Sequence, residues 1–309
     1  MKNGEKWLDV DGNPIEAHGG CRLVYQGKTY WYGENRTEDN YVSCYVKVDN
    51  GWKFLNNVLT AHSKTEMTRV QANLSFVSEN EDGSIAQAII ERPKVVYNKQ
   101  TGKFVMWMHF ERSEKDRSRA CAAIATCDTP DGDFIYHGSF NPMGEHSRDC
   151  TLFEHQDKMY FISSARRNMD LHVYLLTEDY LNVAKKINVL FSNEQREAPA
   201  FIQDKGKILL ITSFCTGWKP NQSRFSVADS MDGLFAINQD IGDKTTYLSQ
   251  SAFLYKNENG DIVYFGDRWG GTDFLKTNVF DYQKSGYCAY KVEFDGKTAK
   301  LVYSEDAFC

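Results

Sequence analysis

At 309 residues, with 41% hydrophobic and 25% charged positions, the chain has the composition of an ordinary soluble globular protein, one large domain or two small ones. A formal net charge of −6 argues against nucleic acid as a partner, and no apolar run approaches the roughly 20 residues of a membrane helix. Aromatic residues reach 14%, with 17 Tyr and 6 Trp, which suits a β-protein and also a sugar binder, because pyranose faces stack on rings.

Met1-Lys2-Asn3-Gly4-Glu5 leads into no apolar stretch and does not read as a signal peptide. The expectation is a cytoplasmic protein, or an exported one if a leader precedes this sequence. The eight cysteines form no Cys-x-x-Cys pair and no Cys/His cluster at metal spacing. Cys21, Cys44, Cys121, Cys127 and Cys288 lie in strand-like runs and read as free thiols acting as small hydrophobes.

Residues 1–16 are a polar lead-in with turn signals at Asp11-Gly12 and Asn13-Pro14. One grammar then recurs: a polar opening, an apolar strand, a tight turn and a second apolar strand. Ala17-His18-Gly19-Gly20 leads to Tyr30-Trp31-Tyr32, and Ile90-Glu91-Arg92-Pro93 leads to Phe104-Val105-Met106-Trp107. Ser147-Arg148-Asp149 leads to Met159-Tyr160-Phe161-Ile162, Arg196-Glu197-Ala198-Pro199 to Ile208–Thr212, and Ser249-Gln250-Ser251 to Ile262–Phe265. Each unit continues into two further short β-rich runs, giving units at about 17–60, 89–140, 147–190, 195–242 and 246–305. Residues 61–88 break the pattern and read as an insertion between units, with a short helix over Ser63–Val77 and a loop over Glu79–Ser84.

Five four-stranded units in line predict an all-β fold, a five-bladed β-propeller forming one domain over 1–309. A β-sandwich is the competing architecture, and the single recurring grammar argues against it. In a propeller the innermost strands start near the axis, so the polar openings converge on one funnel. The converging set is His18, Glu91, Asp149, Glu197 and Gln250, with Arg92, Arg148 and Arg196 beside the three acids. Several carboxylates in an aromatic-lined funnel suit glycoside hydrolysis, in which a carboxyl of raised pKa protonates the leaving oxygen and a second group handles water. The structural alternative is that each Arg–acid pair clamps blade to blade. Glu34, Asn168, Thr216 and Trp218 follow second strands, where they could line a rim, and Trp218 is the candidate stacking platform. Asp267, Arg268 and Trp269 belong either to that rim or to a loop tie.

The ordered motifs Ala17-His18-Gly19-Gly20, Trp31-Tyr32-Gly33-Glu34, Glu91-Arg92-Pro93-Lys94-Val95, Ser147-Arg148-Asp149, Arg196-Glu197-Ala198-Pro199, Cys215-Thr216-Gly217-Trp218 and Gly266-Asp267-Arg268-Trp269 run across nearly the whole chain. Together they resemble glycoside hydrolase family 43, and most closely its branch of exo-β-1,3-galactanases. The resemblance implies a five-bladed propeller and inversion at the anomeric carbon. It implies Glu197 as general acid and Asp149 as the carboxylate that raises its pKa and helps orient the substrate. Most of that family opens the first blade with an Asp base. Here His18-Gly19-Gly20 stands in that place, as in the galactanase branch, where a glutamine at the position of Gln250 is thought to hold the water. Glu91 would bind sugar hydroxyls and assist the water. A neutral Gln is a poor base, so either an imidic tautomer of Gln250 or Glu91 must take the proton.

The expected substrate is an oligo- or polysaccharide, β-1,3-galactan, cleaved from its end to release galactose. Other specificities of the same family are the alternative: α-L-arabinofuranosidase, β-xylosidase or galactofuranosidase. So is a silent sugar-binding propeller. The charged stretch Glu111–Arg119 is a departure, offering arginines where relatives often place an aromatic residue. No cofactor or catalytic metal is implied, and a structural calcium at the axis has no ligand cluster in the sequence to support it. A monomer is expected. Glycosylation sequons at Asn35, Asn73 and Asn221 are read as chance matches.

Overall fold

Runs such as Ile208-Leu209-Leu210-Ile211 are apolar at consecutive positions, which a strand tolerates only if both of its faces are covered. The computed structural model, which describes residues 1–66, 76–79, 82–236 and 238–308, shows how. Ile208 and Leu210 pack into one seam between neighbouring sheets, and Leu209 and Ile211 into the next. Five buried apolar clusters fill the five seams of a ring of five sheets. The fold is a five-bladed β-propeller.

Blade I comprises His18–Tyr25, Lys28–Glu34, Asn40–Val48 and Gly51–Thr60, and blade II Ile89–Asn98, Lys103–Glu111, Cys121–Cys127 and Ile135–Phe140. Blade III comprises Cys150–His155, Lys158–Ala165, Asp170–Leu176 and Val183–Leu190. Blade IV is Arg196–Asp204, Lys207–Phe214, Ser223–Ala228 and Gln239–Ile241; blade V is Gln250–Lys256, Ile262–Arg268, Gly286–Phe294 and Ala299–Val302. Every blade is an antiparallel meander, and the first strands of adjacent blades touch all the way round, blade V closing on blade I. The first-to-second-strand turns of blades I, III and IV are two-residue loops, Gln26-Gly27, Gln156-Asp157 and Lys205-Gly206. Both residues of each have positive φ, the turn whose twist matches that of the strands it joins.

The insertion packs across the seam of blades I and II. Backbone bonds join Lys64 and Glu66 to Tyr136, and Phe76 packs on the Tyr136 ring at 4.0 Å. Val77–Glu79 pairs with Ile85–Gln87 as a small hairpin, whose two strands flank the stretch expected as a loop. The helix expected over Ser63–Val77 and the sequon at Asn73 fall largely or wholly outside the described residues. The seven described cysteines are free, and five of them are buried.

One buried cation holds the hub. Lys94 Nζ donates to the carbonyls of Gly19 (2.7 Å), Gly20 (2.5 Å) and Ala252 (3.2 Å), joining the first strands of blades I, II and V. Burial pulls its pKa down to about 8. Lys94→Ala would strand three buried carbonyls and is expected to cost about 3 kcal/mol or more. A denaturant midpoint equal to that of the parent protein would show that the hub does not need this ammonium.

Candidate active site

The register of the first strand slips at its opening in four blades: after His18 in I, Glu91 in II, Glu197 in IV and Ser251 in V. Such bulges re-aim the side chains beside them. The residues following His18, Glu91 and Glu197 are left-handed: Gly19 (φ 56°), Arg92 (φ 54°) and Ala198 (φ 52°). For Arg and Ala that conformation costs on the order of 1–2 kcal/mol. A carboxylate of the preceding blade holds each one in place. Gly19 N–H donates to Asp267 (3.0 Å), Arg92 N–H to Glu34 (3.1 Å) and Ala198 N–H to Asp149 (3.1 Å).

Glu197 thereby enters a funnel of about 190 Å3 at the axis. Its carboxyl accepts from Gln250 Nε2 at 3.0 Å and from Asn168 Nδ2 at 3.4 Å. Burial, followed by the nearby Asp149 carboxylate, pushes its pKa up to about 8. Gln250 is fully engaged. Its Nε2 also donates to Ser213 (2.9 Å), and its Oε1 accepts from Arg92 (2.5 Å) and Trp269 (2.8 Å).

Glu91 has the opposite environment. Burial pushes its pKa up, but His109, Arg36 and Arg117 outweigh it and hold the carboxylate well below its ordinary range. Arg36 lies at 2.6 Å and Arg117 at 3.1 Å from one oxygen, and His109 Nδ1 makes an ion pair at 3.0 Å with the other. His109 bridges to Glu111 at 3.0 Å, and although burial lowers its pKa, Glu111 and Glu91 raise it to about 9. Arg36 lies over the Tyr282 ring at 4.5 Å and the Trp218 ring at 5.5 Å.

Of the residues singled out from the sequence, Glu34, Glu91, Arg92, Arg148, Asp149, Asn168, Glu197, Trp218 and Gln250 line this one funnel. Four others do not. His18 is fully buried behind it, 2.9 Å from Asp267 and stacked on Tyr287. Asp267 is the clamp on Gly19, Arg268 donates to the Tyr247 carbonyl, and Thr216 is exposed and donates to Lys219 O. Arg92 lines the wall with its donors directed to Ser251 O, Gln250 and Asp149. Trp218 stacks on Phe280 at 4.5 Å, which covers one of its faces.

The three Arg–acid neighbours do not pair with each other. Arg92 reaches Asp149 of the next blade (3.2 Å), Arg148 approaches Glu111 (3.5 Å), and Arg196 bonds to Thr212. The clamping between blades is carried by acids gripping backbone N–H groups and by Arg92 with the acid of the next blade, not by pairs adjacent in the chain. Sequence reading missed His109, Arg36 and Cys215, whereas Trp269, read as a rim or loop-tie residue, does line the funnel. A signal existed for His109: it alternates with Glu111 at the end of an otherwise apolar strand, and buried polar pairs there are costly unless used. Glu91, His109 and Asp149 together have metal-ligand chemistry, with ligand atoms within 4.8 Å of one another. Distant segments supply them, so no spacing motif could reveal the group. Arg36, Arg92 and Arg117 already place positive charge on its carboxylates.

No protein-family model matches the chain, and no curated protein sequence matches it. Solved structures do. The chain is 37% identical to an exo-β-1,3-galactanase from Clostridium thermocellum, covering 98% of this chain and 65% of that one, with a TM-score of 0.84. It is 28% identical to an exo-β-1,3-galactanase from Phanerochaete chrysosporium solved with β-1,3-galactotriose, covering 99% of this chain and 67% of that one (TM-score 0.82). It is 30% identical to a family 43 β-1,3-galactosidase solved with galactodeoxynojirimycin, over the full length of both chains (TM-score 0.82). The propeller, the funnel and these likenesses agree: the chain belongs to glycoside hydrolase family 43, in the branch of exo-β-1,3-galactanases and β-1,3-galactosidases.

Proposed function

We propose that the protein is an inverting exo-glycosidase that releases galactose from the non-reducing end of β-1,3-galactan. The observation that carries this reading is the pair of opposed carboxyls in one funnel. Burial and Asp149 favour the protonated form of Glu197, while His109, Arg36 and Arg117 favour the ionised form of Glu91, the division of labour that acid-assisted departure and attack by water require. Glu197 donates to the leaving oxygen. Asp149 keeps that proton in place by repelling the ionised form. Asn168 presents a buried Oδ1 with no donor among the described residues, fitting a sugar hydroxyl.

The proton of the attacking water goes to Glu91. An imidic Gln250 would need a hydroxyl at Oε1, where Arg92 and Trp269 already point N–H groups. Gln250 therefore orients the water and the acid as an amide. Glu91 is a weak base, but water attacking an oxocarbenium-like centre becomes acidic as its bond forms, so a weak base suffices.

The pH profile follows. The acid must carry its proton, so turnover is expected to fall as pH rises through about 8. The base must be ionised, so the acid limb lies well below the ordinary carboxylate range. Arg117→Ala removes one cation from Glu91 and is expected to move that acid limb upward. An unmoved limb would remove Glu91 from the base role.

The decisive test is product analysis on β-1,3-galactan with anomeric NMR of the earliest product. Galactose appearing as the α-anomer supports the reading. The β-anomer overturns inversion, and release only from arabinofuranosides or xylosides overturns the substrate.

A further inference from the structure

A second cavity, about 340 Å3 against about 190 Å3 for the funnel, lies at the other end of the wheel. The funnel forms where first strands begin. This cavity lies in the seam of blades V and I, beside the turn that follows Lys256 and the start of the strand at Gly51. The first strand of blade I has eight residues, so its ends are roughly 25 Å apart, and the cavity extends from the far end back to Arg22 and Trp31 in mid-sheet.

Its walls are aromatic: the half-buried Trp52 and Tyr255 line it in front of the buried Trp7, Trp31 and Phe265. Its cations are fixed in place: Arg22 lies 4.6 Å over the Tyr255 ring and donates to Lys256 O, and Lys47 lies 5.6 Å from the centre of the Trp52 ring. Glu258 lines the same space and offsets one of these two cations. Trp31 is 1% exposed, yet its indole N–H meets no acceptor among the described residues. A buried donor left so costs about 1–3 kcal/mol. Rings offering flat apolar faces, with few and rigid polar groups between them, match the two surfaces of a neutral sugar: its C–H faces and its hydroxyls.

We propose that this cavity is a second carbohydrate site, one that takes a galactosyl segment of the polymer whose end enters the funnel. The proposal rests on the galactan reading above. At this separation the site holds a distant stretch or a neighbouring branch, and tethering raises the local concentration of chain ends without touching the chemistry.

Calorimetric titration of Glu197→Gln with β-1,3-galactotriose tests it. Two sugars bound per chain are expected, and one after Trp52→Ala is added. A single site in Glu197→Gln itself overturns the proposal, whether or not the Trp52 variant folds. Two sites that persist in a folded Trp52→Ala protein overturn it as well. In the active enzyme, Trp52→Ala should raise KM on polymeric galactan roughly tenfold and leave kcat/KM on β-1,3-galactobiose unchanged. Galactose release with one bound sugar defeats only the second site. No release and no binding defeat the functional reading too.

Discussion

Glu197→Gln is expected to lower kcat on β-1,3-galactan by about 10³–10⁴-fold while galactotriose still binds. The amide keeps an oxygen to accept from Gln250, and Asn168 can turn its unpartnered Oδ1 towards the new NH2, so the funnel keeps its shape, but the amide has no acidic proton to give to the leaving oxygen. An aryl galactoside whose phenol departs without protonation should recover much of the rate, and that contrast separates lost acid catalysis from lost binding. Near-parent turnover on the polymer would exclude Glu197 as the acid. The same substitution should stabilise the fold at neutral pH. The Glu197 pKa is raised to about 8 in the folded chain, so its favourable contribution is complete only below the ordinary carboxylate range and is lost as pH rises towards 8. The penalty at pH 7 is on the order of 3 kcal/mol, and a neutral isostere removes it. Thermal melts at pH 5 and pH 8 should show the variant gaining on the parent as pH rises.

Arg92→Leu is expected to destabilise the protein by about 3–5 kcal/mol and to abolish activity. The guanidinium is 4% exposed and links three blades: it extends from the second to Asp149 of the third and to Gln250 and Ser251 O of the fifth. Its removal leaves the Asp149 carboxylate without its closest cation beside a funnel that already crowds acids. Arg92→Lys keeps the charge but loses the planar fork, so part of the stability should return with little of the activity. A denaturant titration of both variants checks this. A Leu variant as stable as the parent would mean that the blades are held by their apolar seams alone.

The propeller was legible because its cause is local and repeated. Strands buried on both faces must be apolar at consecutive positions, and turns such as Lys205-Gly206 must supply positive φ; both constraints leave marks in the string of residues. The openings at Glu91, Glu197 and Gln250 were legible for the same reason, since a polar residue at the head of an apolar strand stands out. Partnership was not legible. Arg92 beside Glu91, and Arg196 beside Glu197, looked like pairs, but a bulge and the left-handed Arg92 send the first two apart, and the alternation of a regular strand sends the second two to opposite faces. The loop following the second strand of each blade decides what reaches the funnel, and Arg36, Arg117 and Trp269 arrive by that route.

What the sequence by itself determined is the wheel and the residues at the mouths of its inner strands, because periodic burial and turn chemistry are written residue by residue. What only the tertiary structure decided is which carboxyl keeps its proton. Glu91 and Glu197 occupy the same place in the repeat and are the same residue. Three cations converge on one from other parts of the chain, while the other has a buried wall and Asp149. A proton's affinity is set by charge and solvent within a few ångströms, and those neighbours lie up to 55 positions away along the chain.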